Sequence, residues 1–353
     1  MSASSQRGFS LIEMMTALVL GLFMVSVAAG VFLTSNRNFR QDEAISRMQE
    51  NARHALRIMS GDLAMIGFWG PLVDTVAINN QVRDCTGTDA GNPVACGGFF
   101  SNSILTANLS ADCGPGTTAT APSYWMYDVN SSVQIINQAT PDSAATTFGC
   151  IDSADFIGGT DVLAIKRLQG KALAADRAAS EDDGDVFLRT NGDSGMLLGY
   201  QSSVAAPSDA EDWRYQVNVY YIQDHFIDDA DAIPTLYRKT LDGNGLTAET
   251  GGVAQGIEYF HVTFGVDASS DGVPDFYVAQ PTTAEMRAAV TARLYVLVRS
   301  VDEDPQYSNN KTYTLGGVVR DYSGSPDHYY RRVFTTTVQL RNQVNRTRLR
   351  TAS

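Results

Sequence analysis

Between Met14 and Asn36 the chain carries no charged side chain, and the run MMTALVLGLFMVSVAAGVFL lies inside that stretch. At about 20 residues it is long enough to cross a bilayer core of roughly 30 Å as a helix. A segment of this kind must lie in lipid or against other apolar surface, so it limits every arrangement of the remaining chain. One acid, Glu13, stands at its head. An unpaired carboxylate there costs on the order of 2.5–3.5 kcal/mol unless something compensates it. An ordinary secretory signal is the competing reading, with Arg7 as the positive start and Ser26-Val27-Ala28 as small residues for cleavage behind the apolar run. Glu13 argues against that reading.

The residues just before the run are more specific. Gln6-Arg7-Gly8, then Phe9-Ser10-Leu11-Ile12-Glu13-Met14-Met15, resembles the class III leader of type IV pilins and pseudopilins. The resemblance implies that a prepilin peptidase cuts after Gly8 and methylates the new amino terminus at Phe9. Such a leader is removed from in front of the apolar segment, so residues 1–8 depart and the helix stays in the mature protein. It also gives Glu13 a role in assembly. In a packed filament its carboxylate meets the positive amine of Phe9 from a neighbouring subunit, an ion pair in a low-dielectric core that sets register. Subunits of this kind that lack the acid go first at a tip; this chain has it and is expected to join beneath another subunit. The alternative is a Glu13 that snorkels to the headgroup level.

Beyond Arg37 the apolar positions Ile45, Met48, Ala52, Ala55, Met59, Leu63 and Ile66 recur at three and four, with charged residues on the other faces. This predicts one spine helix over residues 9–66, its part from about 14 to 36 transmembrane. Gly67-Phe68-Trp69-Gly70-Pro71 ends it. Residues 67–160 are rich in small and polar residues and hold all four cysteines, Cys85, Cys96, Cys113 and Cys150. They read as a loop-rich insertion stapled by disulfides in an oxidising compartment. Three pairings are open, and Cys85–Cys96 with Cys113–Cys150 closes the smaller loops. The spacings match no usual zinc knuckle.

Residues 161–345 read as a β-sheet head followed by a basic tail, 346–353. Strand patterns appear at Asp161–Arg167, Tyr215–Ile222, Leu236–Lys239, Ile257–Val266, Ala292–Arg299 and Arg332–Arg341. In the last of these Phe334, Thr336, Val338 and Leu340 share one face. Glycine turns between strands predict a largely antiparallel sheet packed on the helix, hence an α+β, pilin-like fold. Leu236-Tyr-Arg, Gly256-Ile-Glu-Tyr-Phe, Ala292-Arg-Leu-Tyr-Val-Leu-Val-Arg and Tyr330-Arg-Arg-Val-Phe-Thr-Thr-Thr-Val-Gln-Leu-Arg-Asn342 resemble PilW-type minor pilins, which are related to the J-type pseudopilins of type II secretion. That likeness implies a non-enzymatic filament subunit. Before assembly it sits in the inner membrane with a periplasmic head, and afterwards in an extracellular filament near the tip. The implied partners are the prepilin peptidase, other minor pilins, the major pilin and a tip adhesin. A type II pseudopilin and a pilus-mounted adhesin are the alternatives.

Charge and composition exclude other classes. The formal net charge is −13, which repels phosphate backbones, and nucleic acid is not expected as a partner. Four scattered histidines, with no HExxH or paired CxxC, leave a zinc enzyme almost no ligands. No cofactor is expected except calcium at one candidate loop. There Asp267, Ser269, Asp271 and Asp275, with Gly272 at the sharp turn, space their oxygens like the start of an EF-hand loop. Val278 falls where the bidentate acid would be, and a solvated acidic turn is the competing reading. Gly192-Asp193-Ser194-Gly195 resembles a serine-protease nucleophile segment, but the only upstream histidine is His54 in the spine, so it reads as a turn. Arg331, Arg332, Arg341, Arg346, Arg348 and Arg350 make a basic end, read as solvated strand and tail, with a bridge to acidic faces of adjacent subunits, or to DNA if the filament takes part in uptake, as the alternatives.

Overall fold

The computed structural model describes residues 10–72, 78–79, 129, 131–148, 151–173, 186–193, 195–199, 210–227, 231–242, 245–248 and 252–344. Gly8, Phe9, Ser194, the four cysteines and the tail 346–353 lie outside these residues. The chain forms two compact units, Met1–Arg47 and Met48–Ser353.

Helix α1 runs from Leu11 to Ala64 and contributes to both. It has no proline, and its end is built as the sequence predicts. The last turn tightens through i→i+3 bonds from Met65 and Ile66, and Gly67 and Gly70 follow at φ of 75° and 63°. In the first unit the helix has Glu13 in its first turn, where the helix dipole favours an acid.

In the second unit the buried helix positions are Met48, Ala52, Ala55, Met59, Asp62, Leu63 and, just past the helix end, Ile66. The apolar ones gather into one core with both large sheets. The first sheet runs β1 (Ile78–Asn79), β5 (Gly195–Gly199), β4 (Val186–Thr190), β6 (Glu211–Gln223), β3 (Thr160–Leu168), β2 (Val133–Ala139). β7 (Thr235–Asp242) also pairs with β6, and β8 (Gly245–Ala248) and β9 (Ala254–Gln255) with β7. All these pairings are antiparallel except β1 with β5.

Period-two alternation assigns the two faces of this sheet. Leu163, Ile165, Tyr220 and Ile222 join the helix core, while Val162, Ala164, Leu168, Val217, Val219 and Tyr221 join a second core on the other side. Ala139, Ala144 and Phe148 help cover that second face. They come from β2 and from the short helix α2 (Pro141–Thr147), opened by a Thr140–Ser143 capping box. Both elements fall inside the loop-rich stretch, where loops and short strands are expected and a helix is not. Val-Gln-Ile-Ile-Asn-Gln-Ala is short and weakly alternating, and becomes a strand because β3 offers it an edge.

The second sheet has the order β11 (Phe276–Val278), β10 (Ile257–Val266), β12 (Ala289–Arg299), β15 (Arg331–Gln339), antiparallel throughout. Helix α3 (Thr283–Arg287) precedes β12. Phe260, Val262, Phe264, Leu294, Val296 and Val298 face the helix core, and Leu340 is buried there with Phe334 and Val338 beside it. A hairpin, β13 (Thr312–Leu315) and β14 (Val318–Asp321), packs Leu315 against Tyr259 and Leu297 on the opposite face. The architecture is α+β, with sheets that are largely antiparallel.

Gly256, just before β10, marks a close approach of the backbone to the end of β12. Its φ is 74°, and a Cβ there would stand 2.8 Å from the Arg299 carbonyl oxygen, which is backbone. Gly256→Ala is expected to lower stability by about 1–3 kcal/mol, measured as the shift in the chemical denaturation midpoint of the detergent-solubilised chain. Gly324→Ala, at an open position, serves as the control with little change.

Candidate assembly site

The first candidate site is the surface of α1 in the Met1–Arg47 unit. Large apolar side chains from Leu11 to Leu33 are 53–78% exposed. Covering fifteen such side chains is worth on the order of 20–45 kcal/mol, so water is not their resting environment. The helix is long and apolar enough to cross a membrane. Two of its hydroxyls are satisfied locally, Thr16 donating to the Glu13 carbonyl at 3.0 Å and Thr34 to that of Gly30 at 2.9 Å, which suits a lipid setting. Glu13 sits at the head of this surface, exposed.

The second feature is a buried acid that the sequence reading passed over. Spacing of four and three along Met48, Ala52, Ala55 and Met59 continues to Asp62 and Ile66, so Asp62 occupies the apolar seam itself. Its carboxylate is 4% exposed as a residue. Arg167 donates to Oδ1 from Nε at 2.9 Å and from Nη2 at 2.7 Å. Asn218 donates to Oδ2 at 2.5 Å, and so does the Tyr220 hydroxyl. Arg167 lies on β3, and Asn218 and Tyr220 on β6, so two strands grip one helical carboxylate. Burial, then the neighbouring Asp62 charge, pushes the Tyr220 phenol well above its ordinary pKa, against a smaller opposing effect of Arg238. Tyr220 therefore acts as a donor.

A second buried acid joins the two sheets. Asp161 on β3 accepts from Tyr259 at 2.8 Å and from the Gln138 amide at 2.8 Å, and its other oxygen lies 2.6 Å from Nδ1 of His261 on β10. The His261 and Asp161 side chains are 2% and 0% exposed, so this histidine–carboxylate pair has no surface on which to receive a substrate. The Arg320 guanidinium lies 4.1 Å over the Tyr259 ring and donates to the Gly159 carbonyl. That contact ties the hairpin to the same joint.

Arg331 corrects the expectation of a uniformly solvated basic end. Its side chain is 2% exposed and is held by Glu258 and Asp327 at 2.6–2.9 Å, with the Tyr322 ring 3.8 Å away. Burial opposes its charge, and the two carboxylates overcome that to hold its pKa above the ordinary value. Arg332 and Arg341 are exposed.

In the acidic loop, Asp275 accepts from the amides of Ala268 and Ser269, and Asp267 from those of Asp271 and Gly272. Asp271 caps the Val273 amide. These carboxylates are turned onto their own backbone, and among the described residues no group of three or more His, Cys, Asp or Glu is placed to hold a metal ion. Asn191 and Thr190 cap amides in the β4–β5 turn, the segment likened to a nucleophile. His54 is exposed on α1.

Comparison with known proteins bears on both ends of the chain. Residues 219–342 match the family described as type IV pilus-assembly protein W, and residues 3–29 match the prokaryotic N-terminal methylation motif. No curated protein matches. Among solved structures a type IV-like pilin from Thermus thermophilus is similar at 12% identity, covering 52% of this chain and 80% of that one, with a TM-score of 0.25.

Two measurements test the geometry. Asp62→Ala strands the Arg167 guanidinium and is expected to cost about 3 kcal/mol or more, while Tyr220→Phe costs about 1–2 kcal/mol. Both are read by denaturant titration of the tryptophan fluorescence. Millimolar calcium is expected to leave the melting temperature unchanged. A saturable rise that Asp271→Ala removes would instead establish the loop as a cation site.

Proposed function

We propose that this chain, whose residues 219–342 match the PilW family and 3–29 the N-terminal methylation motif, is a type IV pilin-like minor pilin of the PilW type, a non-enzymatic subunit that helps start pilus assembly. In this reading a prepilin peptidase cuts after Gly8 and methylates Phe9. The exposed part of α1 then leaves the inner membrane for the helical core of the filament, and the head meets other minor pilins and the major pilin near the tip. The observation that carries the proposal is a charge-free, uncovered apolar helix surface with a single acid at its head. Lipid and neighbouring helices are interchangeable as cover for the apolar side chains, so moving between them costs little. Glu13 is different, because its carboxylate needs a donor that neither lipid tails nor apolar side chains supply, and the amine created at Phe9 of an adjacent subunit is a charged one. The cysteines Cys85, Cys96, Cys113 and Cys150 belong to the same proposal as two disulfides of a periplasmic head.

Mass spectrometry of the purified mature protein is expected to find an N-methylated chain beginning at Phe9. An intact precursor, or a product beginning near residue 30, refutes the processing. Glu13→Ala is expected to leave processing and membrane insertion intact while lowering recovery in sheared filaments about a hundredfold, the consequence of losing an ion pair in an apolar core. Unchanged recovery overturns the role of Glu13. Pull-down of the detergent-solubilised chain against the other minor pilins tests the complex, and association with none of them overturns it.

A further inference from the structure

We infer that β15 is an acceptor edge for an extended segment of another protein, a segment with apolar residues at alternate positions and acids near both ends. The inference does not depend on the leader, the membrane helix or the identity of the filament. Among the described residues β15 ends its sheet, and its nine residues pair with β12 in unbroken register from Arg331 to Gln339. The Leu340 amide and the Tyr330 carbonyl both bond toward β12. By parity the even positions face inward, and the amides and carbonyls of Val333, Thr335, Thr337 and Gln339 face the open side.

Natural sheets block such an edge with proline, a bulge, a central charge or a very short strand. The β15 edge has none of these. Val333-Phe-Thr-Thr-Thr-Val-Gln339 is uncharged, proline-free and mostly β-branched, and Thr335, Thr337 and Gln339 are exposed. The opposite edge of the same sheet, β11, has only three residues, and Arg293 lies 4.3 Å over the ring of its Tyr277.

The flanking charges specify the occupant. Arg332 and Arg341 bracket the uncharged stretch, both are exposed, and neither forms an ion pair among the described residues. Two copies of this chain paired edge to edge about Thr336 would set Arg332 of each beside the Arg341 end of the other, so like charges oppose self-pairing. A partner with acids near both ends meets attraction at both. Phe334 and Val338 pack on the helix-side core, so apolar residues placed beside them in an added strand would extend that core. Main-chain bonds then supply affinity, and alternate side chains supply selectivity.

Fluorescence anisotropy with the full detergent-solubilised chain tests this, using two labelled nine-residue peptides of alternating valine and threonine. One is flanked by aspartates and the other by lysines. The aspartate-flanked peptide is expected to bind saturably and about tenfold tighter than its lysine counterpart. Thr335→Pro removes an outward amide without touching a bond to β12, and is expected to abolish binding while the melting temperature holds. R332E/R341E is expected to reverse the preference between the peptides, a gain that misfolding cannot imitate. Equal binding of the two peptides, no saturable binding of either, or wild-type affinity in folded Thr335→Pro overturns the proposal.

Discussion

A carboxylate buried in an apolar helix seam must be answered by donors, and the fold of the Met48–Ser353 unit is organised around that requirement at Asp62. Three donors from β3 and β6 converge on it. Apolar seams tolerate sliding by a turn, because leucine-sized side chains exchange neighbours at small cost. A carboxylate with fixed donors does not slide, since displacement would leave a buried charge on each side unpaired. The alternation of β3 and β6 follows from the same point. Once Arg167, Asn218 and Tyr220 face the helix, the neighbouring positions Lys166, Val217, Val219 and Tyr221 must face the second core, where β2 and α2 help to cover them.

The joint at Asp161 extends this logic to the second sheet. Elsewhere the β10 sheet meets the first sheet chiefly through apolar contacts in the shared core, with Arg299 donating to the Ala232 carbonyl at 2.8 Å. Tyr259 and His261, stacked at 6.3 Å and nearly parallel, bring two polar groups to one acid and fix which β10 face turns outward. Glu13 stands in contrast to both acids. It lies on an equally apolar helix surface, but no donor of its own chain is found for its carboxylate among the described residues. The chemistry that is completed within the head is left open at Glu13 among the described residues, which is why its partner is proposed to lie on another subunit.

Much of this could be read from the sequence where burial and period agree. The strand over Ile257–Val266 and the helix ending before Gly67 follow from alternation, spacing and a glycine stop. Phe334, Thr336, Val338 and Leu340 share the less exposed face, as their period requires. Other features escaped for physical reasons. Asp62 was hidden because an apolar-stripe reading selects Leu63, one residue on, and treats an acid as solvent-facing. Strict three-four spacing from Met59 would have placed it inside. β2 and β4 are set by the edges offered to them, and no local pattern announces that. Arg331 and Arg332 are adjacent in sequence and opposite in fate, because alternation sends one to Glu258 and Asp327 and the other to solvent.

The matched PilW segment, residues 219–342, contains only part of each joint: one of the three residues that donate to Asp62, and the two β10 partners of Asp161. Tyr220, Tyr259 and His261 fall within it, while Asp62, Asp161 and Arg167 lie before it. Cut at that boundary, the segment would expose the helix-facing side chains of β10 and β12 and leave His261 and Tyr259 without the acceptor that holds them. The matched stretch is therefore a recognisable part of the head and not its folding unit. That unit begins at Met48, on the helix, where the seam that carries Asp62 first becomes buried.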